Sequence, residues 1–481
     1  MDKPKKLKKC QQVEIDAADP FKNDVLDRKA NIEILTQFIT SYEQSIVLCI
    51  DAGWGQGKTT FIKMWQQYLK NQDIPTIYFN AWESDYTDDA LIALIGEIGL
   101  SIQELVGEDK TIAEKILGHL YKLAVNFTKA AAPAMANLGI KAASGGLISA
   151  DEISTAFGNL SESLVKEQIT KYEESRKTLG SFKEALSKLA RCYADGDTHK
   201  PLVFFIDELD RCRPNFAIEV LEKAKHLFNV DNIVFVLATD KTQLGHSIRA
   251  VYGQGLDVNG YLRRFIDFDY LLPKPQKNQE FFKRLIYKYN IVNFIKDFDY
   301  FFECYCFLLN KYNLTLREQE SFFNTLNLIL RVDYQTSLKE NNSNHGRNIH
   351  AHYFFIFFLI ILKIKFIELY KIIINSEDVG DLDILIKHIN SYLISQDNNI
   401  GINIDWLKAV IIFIKVKQYK NITITGMGEV ELFKSYLKKY DLSPEKYPFY
   451  SLLNSNYRNF GNELNFIIKI IDLNGNLIQL N

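Results

Sequence analysis

Short apolar runs that end in polar residues alternate with helical spacing through the first 275 positions, and helical spacing dominates beyond them. Ile32, Leu35, Phe38 and Ile39 recur on one face and predict a helix over residues 24–44. The apolar run Ser45–Ile50, the glycine-rich loop Asp51–Gly57 and the amphipathic stretch Lys58–Lys70 then read as strand, loop and helix. Thr76–Asn80, Leu202–Ile206, Ile233–Leu237 and Phe265–Leu271 are further strand candidates. Their β-branched and aromatic content and polar ends are those of parallel strands buried on both faces. Residues 88–195 carry no such run and read as mainly helical.

The two prolines of LLPKPQ, 271–276, end this pattern. Past them the chain turns to Ile, Phe, Tyr, Asn and Lys, with loops at 341–348 and 395–401. The expected organisation is a basic tail at 1–19, an α/β domain at 20–275 with a helical insertion at 100–195, and a mainly α-helical region at 276–481.

Two apolar stretches bear on membrane insertion. Tyr353–Leu362 stops at Lys363 and Lys365, short of the roughly 20 apolar residues a span requires; it reads as a buried core helix. In Ala130–Ala150 the strongly apolar residues are Leu138, Ile140, Leu147 and Ile148. They contribute roughly −2 kcal/mol to insertion, against about 3 kcal/mol opposed by Lys141. A small-residue helical hairpin is the expectation there.

Charge narrows the partners. Lys and Arg number 57 against 59 Asp and Glu, a net charge of −2, so no broad nucleic-acid or anionic-membrane surface follows from composition. The cysteines are scattered, with no CxxC pair, and Cys49 sits in an apolar run as a core thiol. The histidines form no metal-like cluster. A reducing, cytoplasmic location fits, and the lysine-rich start lacks the apolar segment of a secretory signal.

The chemistry concentrates in two places. Ala52-Gly53-Trp54-Gly55-Gln56-Gly57-Lys58-Thr59-Thr60 follows GxxxxGK[ST] with Ala52 at the first glycine. Small residues let backbone N–H groups curl around phosphate oxygens at a helix N-terminus. Lys58 would reach the β- and γ-phosphates, and the Thr59 hydroxyl would bind Mg²⁺. A metal held there needs a carboxylate at the end of a neighbouring buried strand. Leu202–Ile206 ends in Asp207-Glu208, so Asp207 becomes the metal residue and Glu208 the group that polarises attacking water. Such an acid pair goes with an extra strand between the two motif strands.

These residues resemble the KAP family of P-loop NTPases. The likeness rests on Trp54 within the loop, Asn80-Ala81-Trp82, and Asp207-Glu208-Leu209-Asp210-Arg211-Cys212. Ala238-Thr239-Asp240, Tyr261–Ile266 and the leading Asp27-Arg28 add to it. It covers roughly residues 20–275, with an echo at Thr315-Leu316-Arg317-Glu318. It implies an ATPase with Mg²⁺ as cofactor, a mostly parallel sheet, and a helical insertion between the nucleotide motifs, which in many members carries transmembrane helices. Members recur in bacterial phage-defence systems and in membrane-associated signalling scaffolds.

Further expectations concern single residues. Thr239 and Asp240 stand where a side chain senses the γ-phosphate. Arg263 or Arg264, the latter preferred, would supply a cation to the phosphoryl group in cis or from a second copy, and Arg317 would begin a lid helix. Trp82 reads as core. The whole suggests a cytoplasmic, magnesium-dependent ATPase acting as a conformational switch in antiviral defence, self-associating and meeting a protein partner through 276–481. A scaffold with structural nucleotide and a nucleic-acid-dependent motor are the alternatives.

Overall fold

The computed structural model describes residues 13–106, 200–274, 279–339, 349–371 and 429–439, apart from residues 43, 88–89, 226–229, 231, 295–297 and 369, and isolated positions elsewhere. The Ala130–Ala150 stretch and the loops at 341–348 and 395–401 lie outside the described residues. The chain divides into two compact units, Gln12–Pro275 and one built from Gln276–Asn481.

The first unit is a five-stranded sheet in the order β2-β3-β4-β1-β5. The strands are β1 (Ile46–Asp51), β2 (Thr76–Asn80), β3 (Leu202–Asp207), β4 (Ile233–Thr239) and β5 (Phe268–Leu271). All pairings are parallel. β4 lies between the two motif strands β1 and β3, as the acid pair led one to expect. α1 (Lys29–Thr40) precedes β1, and between the strands run α2 (Lys58–Lys70), the one-turn α3 (Ala81–Ser84), α4 (Ala90–Val106), α5 (Pro214–Lys225), α6 (Lys241–Tyr252) and α7 (Val258–Leu262).

The two-residue period of the strands sorts the core. Ile46, Leu48 and Ile50 of β1, with Val203, Phe205, Val234 and Val236, pack on Ile32, Leu35, Phe61, Ile62 and Trp65 of α1 and α2. Val47 and Cys49, with Ile77, Phe79, Phe204, Phe235 and Leu237, pack on Leu94 and Ile98 of α4, Val220 and Leu221 of α5, and Leu244 and Ile248 of α6. A sheet covered on both faces needs apolar residues on both, which is why its strands read as continuous apolar runs. Burial pushes the Cys49 thiol far up, consistent with a core role. Of residues 107–199 only isolated helical positions are described; Leu186 and Ala190 are buried in the α4 face.

The second unit is helical where described: α8 (Gln279–Lys288), α9 (Phe298–Tyr312), α10 (Leu316–Lys339), α11 (Ile349–Lys365) and α12 (Glu429–Lys439). The apolar run of α11 is core, with Ile356–Leu362 all buried. Phe357 packs edge-on against Phe301 of α9 and Phe322 of α10. Among the described residues no helix is long and apolar enough to cross a membrane. The Thr315–Glu318 echo is the start of α10. The Thr315 N–H donates to Glu318 Oε2 at 2.7 Å and the Glu318 N–H to Thr315 Oγ1 at 3.3 Å. That reciprocal pair satisfies two otherwise orphaned donors. Lys365 of α11 then donates to Glu318 at 2.9 Å. Arg317 is exposed on the first turn.

Candidate functional site

Register brings the chemistry to one edge of the sheet. Asp51 at the end of β1 is level with Thr239 of β4, and Asp207 of β3 is level with Ala238 of β4 and Asn80 of β2. The loop from Ala52 to Gly57 therefore leaves the sheet beside the acid pair. Gly55 and Gly57 hold φ of 74° and 84°, a left-handed backbone that costs other residues roughly 1–2 kcal/mol. Ala52 is not at positive φ, so its Cβ is tolerated where the motif has glycine. It is buried, and its N–H donates to Thr239 O at 3.3 Å. Lys58 opens α2 and its Nζ donates back to Ala52 O at 2.5 Å, which keeps the ammonium on the loop. A side chain on Gly53 would meet Gln56 Nε2 at 3.3 Å. Thr60 follows on the first turn of α2, half-buried.

Across from the loop, Asp207 is wholly buried. Its Oδ1 accepts the Glu208 N–H at 2.8 Å and its Oδ2 accepts the Tyr78 hydroxyl at 3.0 Å. Burial pushes the Asp207 carboxyl up to about 6, against hydrogen bonds from Thr59 and Tyr78 that favour its charge. The Thr59 hydroxyl also lies 3.4 Å from Glu208 Oε1. Thr59, Asp207 and Glu208 thus gather hard oxygen donors around one point, with a buried carboxylate that a divalent cation would relieve. This donor chemistry suits Mg²⁺, which takes few protein oxygens and keeps several waters.

Glu208 itself sits at φ 60°, an outlier for a residue with a Cβ, costing roughly 1–3 kcal/mol. The left-handed turn lets Leu209–Arg211 form a 3₁₀ turn directly after the strand. Arg211 Nη1 reaches Glu208 Oε1 at 2.7 Å. Asp210 is buried and accepts from the Thr239 hydroxyl at 3.2 Å and from the Trp54 indole N–H. Tyr78, Asp210 and Arg211 are site residues to which sequence reading gave no role. Asp210 and Arg211 carried a signal as part of the run after Asp207-Glu208, and Tyr78 had none beyond its place in β2.

Other expected site residues take different places. Thr239 is fully buried, its hydroxyl committed to Asp210. Asp240 caps α6, with Oδ1 accepting from the Thr242 and Gln243 N–H groups. It still borders the loop, since a side chain on Gly53 would come 4.0 Å from its Oδ2. Trp82 is not core: it is 53% exposed. Asn80 accepts from the Trp82 and Glu83 N–H groups, and the single helical turn so capped projects the indole outward. Arg263 and Arg264 lie at the opposite edge of the sheet from the loop. They precede Asp267, whose N–H bonds Val47 O near the start of β1. Arg264 is exposed and borders an open cleft with Glu222, Tyr252 and Asp257. Within one copy Arg264 therefore stands apart from the loop.

The Asp207 shift predicts a pH effect. With a folded value near 6 and an ordinary value of 3.8, the folded protein holds this proton more tightly than the unfolded chain. The associated stability is full below about pH 3.8, declines as pH rises to about 6, and is gone above it, on the order of 2–3 kcal/mol. Asp207→Asn, which cannot ionise, should be more stable than the parent in urea at pH 7.5 without divalent metal. The gap should close at pH 4. A gap independent of pH would show that the shift is not the cause.

A sequence model of the KAP family P-loop domain matches residues 28–332. The match runs past the proline boundary into α10, farther than the resemblance read from motifs. A solved structure described as the Aeropyrum pernix ORC2 protein in ADPNP–ADP complexes aligns at 11% identity and a TM-score of 0.31, covering 93% of this chain and 94% of that one. No curated protein matches the chain.

Proposed function

Because this chain belongs to the KAP family of P-loop NTPases, we propose that it binds and hydrolyses ATP with magnesium at the carboxyl edge of its sheet. The observation that carries this is the meeting of loop and acid pair, with Thr59 Oγ1 3.4 Å from Glu208 Oε1 across the β1–β3 gap. The loop N–H groups and Lys58 would hold the phosphates. Thr59 and Asp207 would hold Mg²⁺, which when bound neutralises phosphate charge. Glu208 would accept a proton from the attacking water. Tyr78 fixes the Asp207 carboxylate, and Asp210 ties Trp54 of the loop to β4 through Thr239.

Hydrolysis in this reading drives a conformational switch. The support is that Asp210 and Thr239 link the phosphate loop to two further strands, so a change at the loop is felt across the sheet edge. The role in phage defence rests on the family's recurrence in such systems. Arg264 would act only from a second copy, given its place at the far edge of the sheet.

Phosphate release from ATP, measured with and without Mg²⁺, with and without DNA, and over a range of protein concentrations, tests the reading. Magnesium-dependent release is expected, rising in specific activity with concentration and indifferent to DNA. Stable MgATP binding with no release would favour the scaffold alternative, and a large DNA stimulation the motor.

A further inference from the structure

Within the Glu208–Arg211 turn the Glu208 carboxylate is paired with one cation, Arg211. Leu209 is buried and pins the turn to the core. Asp210 is held by Thr239 and Trp54. The Arg211 N–H returns to Glu208 O at 3.1 Å, and i and i+3 side chains eclipse in a 3₁₀ turn. The guanidinium is thereby laid over Glu208, with Nη1 at 2.7 Å from Oε1 and side-chain exposures of 27% and 11%. Its other side lies 5.7 Å from the centroid of the Trp82 ring, an arrangement in which cation and indole attract. Trp82 is held by the Asn80 cap, and Asn80 is level with Asp207. The cation is held by the carboxylate and lies over the ring of an exposed indole.

Glu208 Oε1 is the oxygen that meets both Arg211 and Thr59. Two donors on that oxygen, one of them a cation, fix the orientation of the carboxylate and lower its basicity. We infer that Arg211, braced by Trp82, is a positioning residue that acts as a brake: the ion pair holds Glu208 away from its work, and hydrolysis proceeds from the fraction of molecules in which the pair is open. This rests on the ATPase reading and adds to it the control of its base.

The test uses the full chain, with turnover and KM for MgATP measured on the parent and variants. A part-exposed ion pair shifts an opening equilibrium by about twofold to fivefold. Arg211→Ala should raise kcat by that factor with KM within about twofold. Arg211→Lys, which keeps a cation, should fall back toward the parent. Arg211→Ala combined with Glu208→Gln should lose the gain, since the gain runs through that carboxylate. Trp82→Ala, which leaves the turn intact, should raise kcat in the same direction by less, and serves if Arg211→Ala does not fold. Unchanged or lowered kcat in the folded Arg211→Ala protein, with a hydrolysing parent, overturns the brake and leaves the ATPase reading standing. MgATP binding with no turnover in parent and variants overturns both.

Discussion

The Glu208→Gln protein should bind MgATP as the parent does and release phosphate about 10²–10³-fold more slowly, within the range of general-base effects. Glutamine keeps the length and shape of the side chain. The left-handed backbone at φ 60° is set by the strand end and the following 3₁₀ turn, so the exchange leaves the turn in place. What is removed is the charge that, in the proposed reaction, takes a proton from water. Lys58→Ala should act on the other half of the site. It removes charge-assisted hydrogen bonds to phosphate worth roughly 1.5–3 kcal/mol, or about 10–100-fold in affinity. Filter retention of labelled ATP and phosphate release separate the two: Glu208→Gln should retain label without product, and Lys58→Ala should retain little. Turnover by Glu208→Gln at the parent rate would show that Glu208 is not the base.

The parts of the site legible in the sequence were those whose chemistry demands a residue type in a fixed order. A glycine-rich loop between an apolar run and a helix, and an apolar run ending in two acids, leave little freedom. The three central strands β1, β3 and β4 were found because each is buried on both faces and so apolar almost throughout, whereas the edge strand β5 alternates half-buried with exposed positions and starts at Phe268, three residues after the start of the run that marked it. Three other segments share one local pattern. Asn80-Ala81-Trp82-Glu83, Asp240-Lys241-Thr242-Gln243 and Thr315-Leu316-Arg317-Glu318 are all spelled as capping boxes. In each the first side chain accepts from N–H groups of the following turn. Read that way, Asp240 is a helix cap bordering the loop, Arg317 sits on an ordinary first turn, and Trp82 is carried outward by its own short helix. In the sequence Arg264 is open to a role in cis or from a second copy. Sequence order puts it next to a strand, but in a parallel sheet a residue before a strand and one after it stand at opposite edges.

Trp65→Ala should be the most destabilising single substitution in the first unit, by about 3–5 kcal/mol. Trp65 is fully buried between α2 and the sheet, with its ring edge-on to Phe61 and Phe205 at centroid distances of 6.2 and 5.5 Å. Its indole N–H donates to Thr36 Oγ1 at 3.0 Å, and that hydroxyl donates to Ile32 O at 2.8 Å. One side chain therefore joins α1, α2 and β3. Trp65→Phe keeps the ring packing and loses the hydrogen bond, at about 1 kcal/mol. The site is coupled to this packing, because α2 opens with Lys58 and Thr59 and is held on the sheet by Trp65. Saturating MgATP, at about 100 times its dissociation constant, should stabilise the parent by roughly 2.7 kcal/mol. If the loop depends on how α2 is seated, Trp65→Ala should gain less than that in urea unfolding at the same MgATP, while Trp65→Phe gains as much as the parent. Equal gains in all three would mean that the loop keeps its geometry without the tryptophan, and that Gly55, Gly57 and the Lys58–Ala52 contact suffice to form it.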